Sequence, residues 1–255
     1  MGSLTVVGTG INGSAHLTPE ARAAFERAEA AFYLVTEPLT IRLLEELNPA
    51  AISLYDHYEA GVDRSRSYQR MQETILGEVR AGREVCAAFY GHPGIFVAPS
   101  HGAVRQARKE GFPAWMLPAV SAEDCLFADL GVDPGVTGCQ SFETTDFLLR
   151  RRQVDPSAGL VLWQVSVLGI RHYETEPAPR NLNVLVDYLL QWYEPEHRVT
   201  LYEASPYPLV EPSIRELALA DLPGARPSPL ATLYVPPSQK RAEDAEMAAR
   251  LGIPL

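Results

Sequence analysis

The chain predicts an α/β fold in two domains. Three observations carry this. Short β-rich runs alternate with helical patterns nearly throughout. A length of 255 residues with 46% hydrophobic and 21% charged content supports sizeable cores without staples. Capping and stop residues fall where the periodicity changes. LTVVG at 4–8, AAFYLV at 30–35, ISLYDHY at 52–58 and EVCAAFY at 84–90 read as strands. Between them, TPEARAAFERAEA opens with Thr18 as N-cap and Pro19 at the first helical position, and PLTIRLLEEL supplies a second helix. VDRSRSYQRMQETILGEVRAG is a third, with Tyr68, Met71, Ile75 and Val79 on one face and Gly82 as its stop.

After AWMLPAV a second set begins: a helix in SAEDCLFADLG, a strand in GLVLWQV, a helix through NLNVLVDYLLQWY, a strand in RVTLYEAS, a helix in SIRELALADL and a last strand in PLATLYVPP. The strands are expected to be mostly parallel. The expected domains are 1–117, 118–238 and a helical tail, 239–255. A cleft between two such halves is the default place for a small-molecule site.

Composition narrows the function classes. Cys86, Cys125 and Cys139 are odd in number and widely spaced, which fits reduced thiols in a cytoplasmic protein rather than a disulfide framework or zinc site. No metal-ligand cluster is visible. The first residues lack a secretory pattern, and no apolar run approaches the roughly 20 residues that span a bilayer. The net charge of −10, with arginines scattered and RRR at 150–152 the only basic run, disfavours nucleic acid as partner.

Three loops could hold a ligand. GTGING at 8–13 has the spacing of a dinucleotide fingerprint, but the helix start signal comes later, at Thr18-Pro19, so a tight turn at a strand end is favoured. GHPG at 91–94 follows an apolar strand. Glycines there permit close approach to main-chain atoms, which suits an adenosine moiety better than a phosphate. In PAVSAED, Ser121 can cap the following helix, and Ser-x-x-Asp would justify itself without a ligand.

In order, VVGTGINGSAHLTPEARAAFERAEAAFYL, YGHPGIFVAPSHGAVRQARKEGF, MLPAVSAEDCLFADLG, LVLWQV and ATLYVPP resemble the tetrapyrrole methylase superfamily. Within it, GHPGIF, LPAVSAEDCLFADLG, GCQSFETTDFLLRRR and LVLWQV look like the borosin peptide α-N-methyltransferases. The resemblance implies two α/β domains with S-adenosylmethionine in the cleft between them, S-adenosylhomocysteine as product, and backbone amide nitrogens of a ribosomal precursor peptide as substrate. It implies that Tyr90, Gly91, His92, Pro93, Ile95, Phe96, Val97, Ser121, Ala122, Gln164 and Thr232 line the cofactor, and that Tyr55, Tyr58, Arg64 and Tyr68 form the catalytic set. It implies a homodimer. The expected substrate is a separate peptide supplied in trans, whereas fused fungal members carry it at their own C-terminus.

The chemistry fits those residue types. An amide nitrogen needs its proton taken or polarised, its carbonyl oxygen stabilised, and its position held in line with the methyl group. Arg64 and Tyr68 are four apart and share a helix face. A guanidinium beside a phenol is expected to lower the phenol pKa. His57 and His101 read as surface or capping residues, and Glu123 and Asp124 as structural acids in a helix's first turn. Two further readings stay open: a tetrapyrrole C-methyltransferase of the same fold, and a non-catalytic S-adenosylmethionine-binding protein.

Overall fold

The computed structural model describes residues 1–175 and 179–254. Its chain divides into two compact units. The first comprises 1–132, 169–178 and 203–213; the second comprises 133–168, 179–202 and 214–255. The helix after Ser121 therefore packs with the first unit, although the sequence places a seam at 118. Two short excursions of the later chain return to the first unit.

The first unit runs β1 Ser3–Gly8, α1 Gly13–His16, α2 Pro19–Arg27, β2 Ala30–Leu34, α3 Pro38–Leu47, β3 Ile52–Ser53, α4 Arg64–Arg80, β4 Glu84–Phe89, α5 Ala98–Lys109, β5 Ala114–Met116 and α6 Ala122–Leu130. Its sheet is parallel, in the order β3-β2-β4-β1-β5. The pleat sends alternate residues to opposite faces. Leu4, Val6, Val85, Ala87 and Phe89 pack with Met71, Ile75 and Val79 of α4 and Ala103, Val104 and Ala107 of α5. Val7, Cys86 and Ala88 pack with Ala21, Ala24 and Phe25 of α2 and Leu44 of α3. The chain leaves β1 toward one face and the neighbouring β4 toward the other, so the loops at their carboxyl ends diverge.

The second unit contains α7 Pro134–Thr137, β6 Cys139–Glu143, α8 Thr144–Leu149, β7 Gly159–Trp163, α9 Leu182–Leu189, β8 Arg198–Glu203, β9 Ser213–Ala218, β10 Thr232–Val235 and α10 Ala245–Leu251. Its sheet order is β6-β7-β10-β8-β9. Here β6 and β7 are parallel, but β10 is antiparallel to both of its neighbours, β7 and β8. Leu160, Leu162, Leu185, Leu189, Leu201 and Leu233 sit in its core.

Three local expectations are corrected. The strand expected over 52–58 ends at Ser53, because the Ser53 hydroxyl accepts the Tyr55 amide at 3.1 Å and a 3-10 turn, Tyr55–His57, follows. SIRELALADL is not one α-helix: residues 213–218 form the edge strand β9 and only its end joins a 3-10 helix, Leu219–Gly224. The amides of Leu219 and Ala220 then bond to the carbonyls of His197 and Pro195 at 2.9 Å, so sheet-edge pairing overrides helical propensity. The tail is helical only over 245–251, because the amides of Ser238 and Gln239 are committed to the Pro156 carbonyl; Leu255 lies outside the described residues. The helix α5 went unread because Pro99, near its start, looks like a loop residue. No helix among the described residues is long and apolar enough to cross a membrane.

At the diverging loops, Gly10 and Gly91 form an isolated antiparallel bridge, with each amide donating to the other's carbonyl at 3.2 and 3.0 Å. Both have positive φ, 66° and 70°. A Cβ on Gly8 would press on the Gly91 carbonyl and lie 2.6 Å from Ala119 Cβ and 2.7 Å from Pro93 Cδ. One on Gly91 would meet nothing nearer than Ile11 Cδ1 at 3.7 Å. Gly91→Ala is therefore expected to lose only the backbone cost of about 1–2 kcal/mol, whereas Gly8→Ala should lose more, about 3 kcal/mol, by overpacking. Urea unfolding of the two variants checks the order.

Candidate functional site

Two groups of side chains gather in the first unit. The first is the loop that follows β4. In open parallel sheets, ligands bind beyond the carboxyl ends of strands whose connections leave in opposite directions, which is where β1 and β4 stand. Tyr90, half-buried, comes directly after β4, and its burial holds its phenol up at about 12. His92 to Ile95 close a turn through an Ile95 amide to His92 carbonyl bond of 3.2 Å, with Pro93 and Gly94 central. The Gly94 amide donates to His92 Nδ1 at 2.9 Å, so in the neutral ring the proton sits on Nε2. His101 Nε2 lies 2.9 Å from the Gly94 carbonyl, and the Ser100 hydroxyl donates to the Pro93 carbonyl. The glycines have reasons inside the protein: Gly91 by its φ, and Gly94 because a Cβ would come 3.1 Å from His92 Cε1 and 3.2 Å from Met116 Sδ. Ile95 and Val97 are half-buried, while Phe96 is exposed and left-handed at φ 55°. Such strain in a non-glycine residue costs about 1–3 kcal/mol and collects at functional sites.

Ser121 caps α6, whose first residue is Ala122. Its hydroxyl receives the Asp124 amide at 3.2 Å while its own amide donates to Asp124 Oδ2 at 2.7 Å, a complete capping box, and the hydroxyl also donates to that Oδ2 at 2.7 Å. Both partners of the Ser121 hydroxyl are thus within its own helix. In the second unit, Gln164 follows β7 in a left-handed conformation, φ 59° and ψ 34°. Thr232, buried, opens β10. The register Leu233 to Leu162 brings Thr232 and Gln164 to one end of that sheet.

The second group in the first unit is aromatic. Beyond Ser53, the 3-10 turn swings Tyr55 and Tyr58 toward α4. His57 Nε2 holds the turn to α4 at 2.9 Å from Thr74 Oγ1. Tyr58 and Tyr68 meet edge to face with centroids 6.3 Å apart, and both pack against the core under α4. Arg64 is half-buried at the first position of α4 and makes no ion pair with a carboxylate among the described residues. It draws the Tyr58 pKa down, but burial, and after it the Tyr68 phenol, raise that pKa well above the ordinary value. The expectation of a guanidinium-lowered phenol is thereby corrected for Tyr58: desolvation outweighs the cation.

Tyr173 completes this group, and the sequence reading missed it. It lies in residues 169–175, which return to the first unit. Its ring stacks on Tyr58 at 4.7 Å and 20°, and its hydroxyl lies 2.8 Å from that of Tyr55. That hydrogen bond, followed by burial, raises Tyr55 to about 12. The segment is fixed by main-chain bonds: Gly61 amide to Tyr173 carbonyl, Tyr173 amide to Val62 carbonyl and Arg64 amide to Arg171 carbonyl, at 3.0, 2.9 and 3.0 Å. No period or motif in LGIRHYETE marks a return to a helix more than a hundred residues earlier.

The Tyr90 shift gives a stability test. Between pH 10 and about 12 an unfolded chain has released this phenolic proton while the native one keeps it, so native stability falls as pH rises through that window. Tyr90→Phe is expected to flatten the fall by up to about 2 kcal/mol, read from urea unfolding at pH 9.5 and 11.5.

Comparison with known proteins shows the family. Residues 3–205 match the family described as Tetrapyrrole (Corrin/Porphyrin) Methylases. The chain is 41% identical over 261 residues to a methyltransferase/ribosomally synthesized type I borosin cyclic peptide precursor of Serendipita vermifera subsp. bescii, covering 99% of this chain and 63% of that protein. It is also 41% identical to the methyltransferase/omphalotin A precursor of Omphalotus olearius, covering 98% of this chain and 61% of that one. The chain thus spans about three fifths of the length of these curated relatives. Among solved structures, uroporphyrin-III-C-methyltransferase from Thermus thermophilus superposes with a TM-score of 0.64 at 21% identity, covering 96% of this chain and 99% of that one. The methyltransferase CobJ does so with a TM-score of 0.67 at 18% identity, covering 96% and 98%. At these identities the likeness is one of fold. With the match extending over 203 of 255 residues (from 3 to 205), the chain belongs to the tetrapyrrole methylase family.

Proposed function

We propose that the protein is an S-adenosylmethionine-dependent methyltransferase acting on backbone amide nitrogens of a ribosomally made precursor peptide; the relatives' names, which join a methyltransferase to a ribosomally synthesized cyclic peptide precursor, support the methyl transfer and the peptide class. The observation that carries the reading is a half-buried guanidinium, Arg64, with no carboxylate among the described residues and with the phenols of Tyr58 and Tyr68 beside it. A resting cation of that kind is suited to charge that appears only during a reaction.

Three observations support the loop after β4 as the cofactor's place. It stands where the connections of β1 and β4 diverge, the space beside Gly91 holds nothing nearer than Ile11 Cδ1 at 3.7 Å from a Cβ position, and Phe96 is held in a strained conformation. Tyr90, Gly91, His92, Pro93, Ile95, Phe96 and Val97 would hold the adenosine portion, with Ser121, Ala122, Gln164 and Thr232 as the further proposed contacts. S-adenosylmethionine, when bound, supplies an electrophilic methyl group on a sulfonium. In the proposed transfer the N–CH3 bond would form as the S–CH3 bond breaks, leaving S-adenosylhomocysteine, and the amide proton would pass to Tyr68.

In this chain, the Tyr58 phenol keeps its proton at neutral pH and therefore serves as a hydrogen-bond donor to the substrate carbonyl oxygen, where negative charge builds. Arg64 stabilises the same charge. Tyr68, four residues along α4, is assigned to take the amide proton on its oxygen as its own hydroxyl proton passes on to solvent, and Tyr55 to border the peptide. The reading takes the precursor as a separate chain and the enzyme as a homodimer in the cytoplasm.

The test is incubation with S-adenosylmethionine and the peptide encoded beside the gene, in one arm free and in the other joined to the C-terminus, followed by tandem mass spectrometry. Methyl groups on backbone nitrogens are expected in the free-peptide arm. Methylation of a tetrapyrrole in place of the peptide would overturn the assignment, and methylation of the joined peptide alone would overturn supply in trans. Tyr68→Phe is expected to lower turnover about 10²–10⁴-fold and Arg64→Ala about 10²–10³-fold. Calorimetric affinity for S-adenosylmethionine should stay within about threefold in both, since neither residue is assigned to the cofactor.

A further inference from the structure

We propose that Tyr173 is a positioning residue for this reaction: its ring braces Tyr58 and its hydroxyl holds Tyr55, so that residues 169–175 act as a strap fixing the phenols against α4. The inference rests on the reading above and adds a residue and a segment to it.

Two independent sets of contacts converge on this strap. The first is side-chain geometry. Tyr58 has Tyr55 and Tyr68 against it edge to face, at 5.3 and 6.3 Å, and only Tyr173 lies flat on it, at 4.7 Å and 20°, among the described residues. An edge contact leaves a ring free to tilt, whereas an offset stack fixes its plane. The Tyr173 hydroxyl lies 2.8 Å from the Tyr55 hydroxyl, so one side chain orients two phenols of the set.

The second is main-chain geometry. The first amides of a helix have no partner within it. At α4 the Arg64 amide is taken by the Arg171 carbonyl, and the preceding Asp63 faces His172 across an isolated bridge. The strap therefore holds the end of the helix that bears Arg64, two residues from the one that stacks on Tyr58. Ala60 and Tyr173 form a further bridge, which ties the strap to the chain between Tyr58 and α4. Displacement of the strap would disturb Tyr55, Tyr58 and Arg64 together while leaving the loop after β4 unaltered.

The test uses the whole chain with S-adenosylmethionine and the synthetic peptide read from the frame beside the gene. Tyr173→Leu removes the flat ring and is expected to lower kcat about 10–100-fold, since a displacement of about 1 Å can cost 10². The KM for peptide and the calorimetric Kd for S-adenosylmethionine should each change less than about threefold. Tyr173→Phe keeps the stack and is expected to restore kcat to within about fivefold of wild type. In a cycle with Tyr55→Phe, both hydroxyls belong to one interaction, so the double variant should be no slower than the slower single one. Wild-type kcat in Tyr173→Leu, equal losses in the Leu and Phe variants, or multiplying losses in the cycle would overturn the proposal. The cycle uses only Phe substitutions and so decides even where Tyr173→Leu fails to fold. Wild-type protein that leaves peptide amides unmethylated would sink the functional reading and this inference with it; active wild type with an indifferent Tyr173 sinks this inference alone.

Discussion

The reciprocal pair of main-chain hydrogen bonds between Gly10 and Gly91 is the constraint from which the first unit's site is built. Parallel strands β1 and β4 lie side by side but feed helices on opposite faces, so their loops would part where the strands end. The bridge ties them at that point. It requires positive φ at both residues and no side chain at Gly8, so glycine is fixed at three places by the protein's own backbone. Everything placed by the loop after β4 follows from this anchor: Tyr90 immediately ahead of it, the His92–Ile95 turn immediately after it, and the strained Phe96 two residues beyond His92's partner Gly94. The close approach of two main-chain segments at a sheet's carboxyl edge results from glycine's steric freedom rather than from any one side chain.

The aromatic group is built by a different means, through contacts distant in sequence. The 3-10 turn at Tyr55–His57 is pinned to α4 by the hydrogen bond of His57 with Thr74, and α4 itself is seated by Met71, Ile75 and Val79 in the core. The returning segment 169–175 then closes the group from the other side. The local chain decides which phenols are present. The return decides how one of them is oriented.

This division explains what could be read before the structure. Helices with local start signals were legible: Thr18 accepts the Ala21 amide, Asp63 the Ser65 amide and Ser121 the Asp124 amide, all interactions within four residues. Strands with an apolar run such as VCAAF were legible because a parallel strand buried on both faces reads as a near-continuous hydrophobic run. SIRELALADL was misread because its helical propensity is local while the partners of Leu219 and Ala220 lie at His197 and Pro195. In the site, Tyr55, Tyr58, Arg64 and Tyr68 came from a resemblance and fall within one short stretch. Tyr173 is more than a hundred residues away in a segment without pattern, and the contacts that reveal it, its own with Tyr55, Tyr58 and Ala60 and that of the adjacent His172 with Asp63, are all distant in sequence. The capping box of Ser121 was legible in full, and it accounts for that serine without a ligand.

The corrected electrostatics of Tyr58 change how the proposed chemistry works. Were the Arg64 cation to win, the resting site would hold a phenolate against a guanidinium, and the positive charge would be cancelled before any substrate arrived. Burial wins instead, so Tyr58 keeps its proton and the guanidinium keeps its charge. A unit charge about 4 Å away interacts by about 4 kcal/mol at the effective dielectric of a protein surface, against about 1 kcal/mol in water. In the proposed reaction that attraction is withheld from the neutral amide and becomes available as the carbonyl oxygen turns negative, which is the condition for lowering a barrier rather than tightening a ground state. A phenol kept neutral by desolvation and a cation without a carboxylate partner among the described residues are therefore two aspects of one arrangement. The same partial burial that raises the phenol's pKa also makes the charge beside it effective.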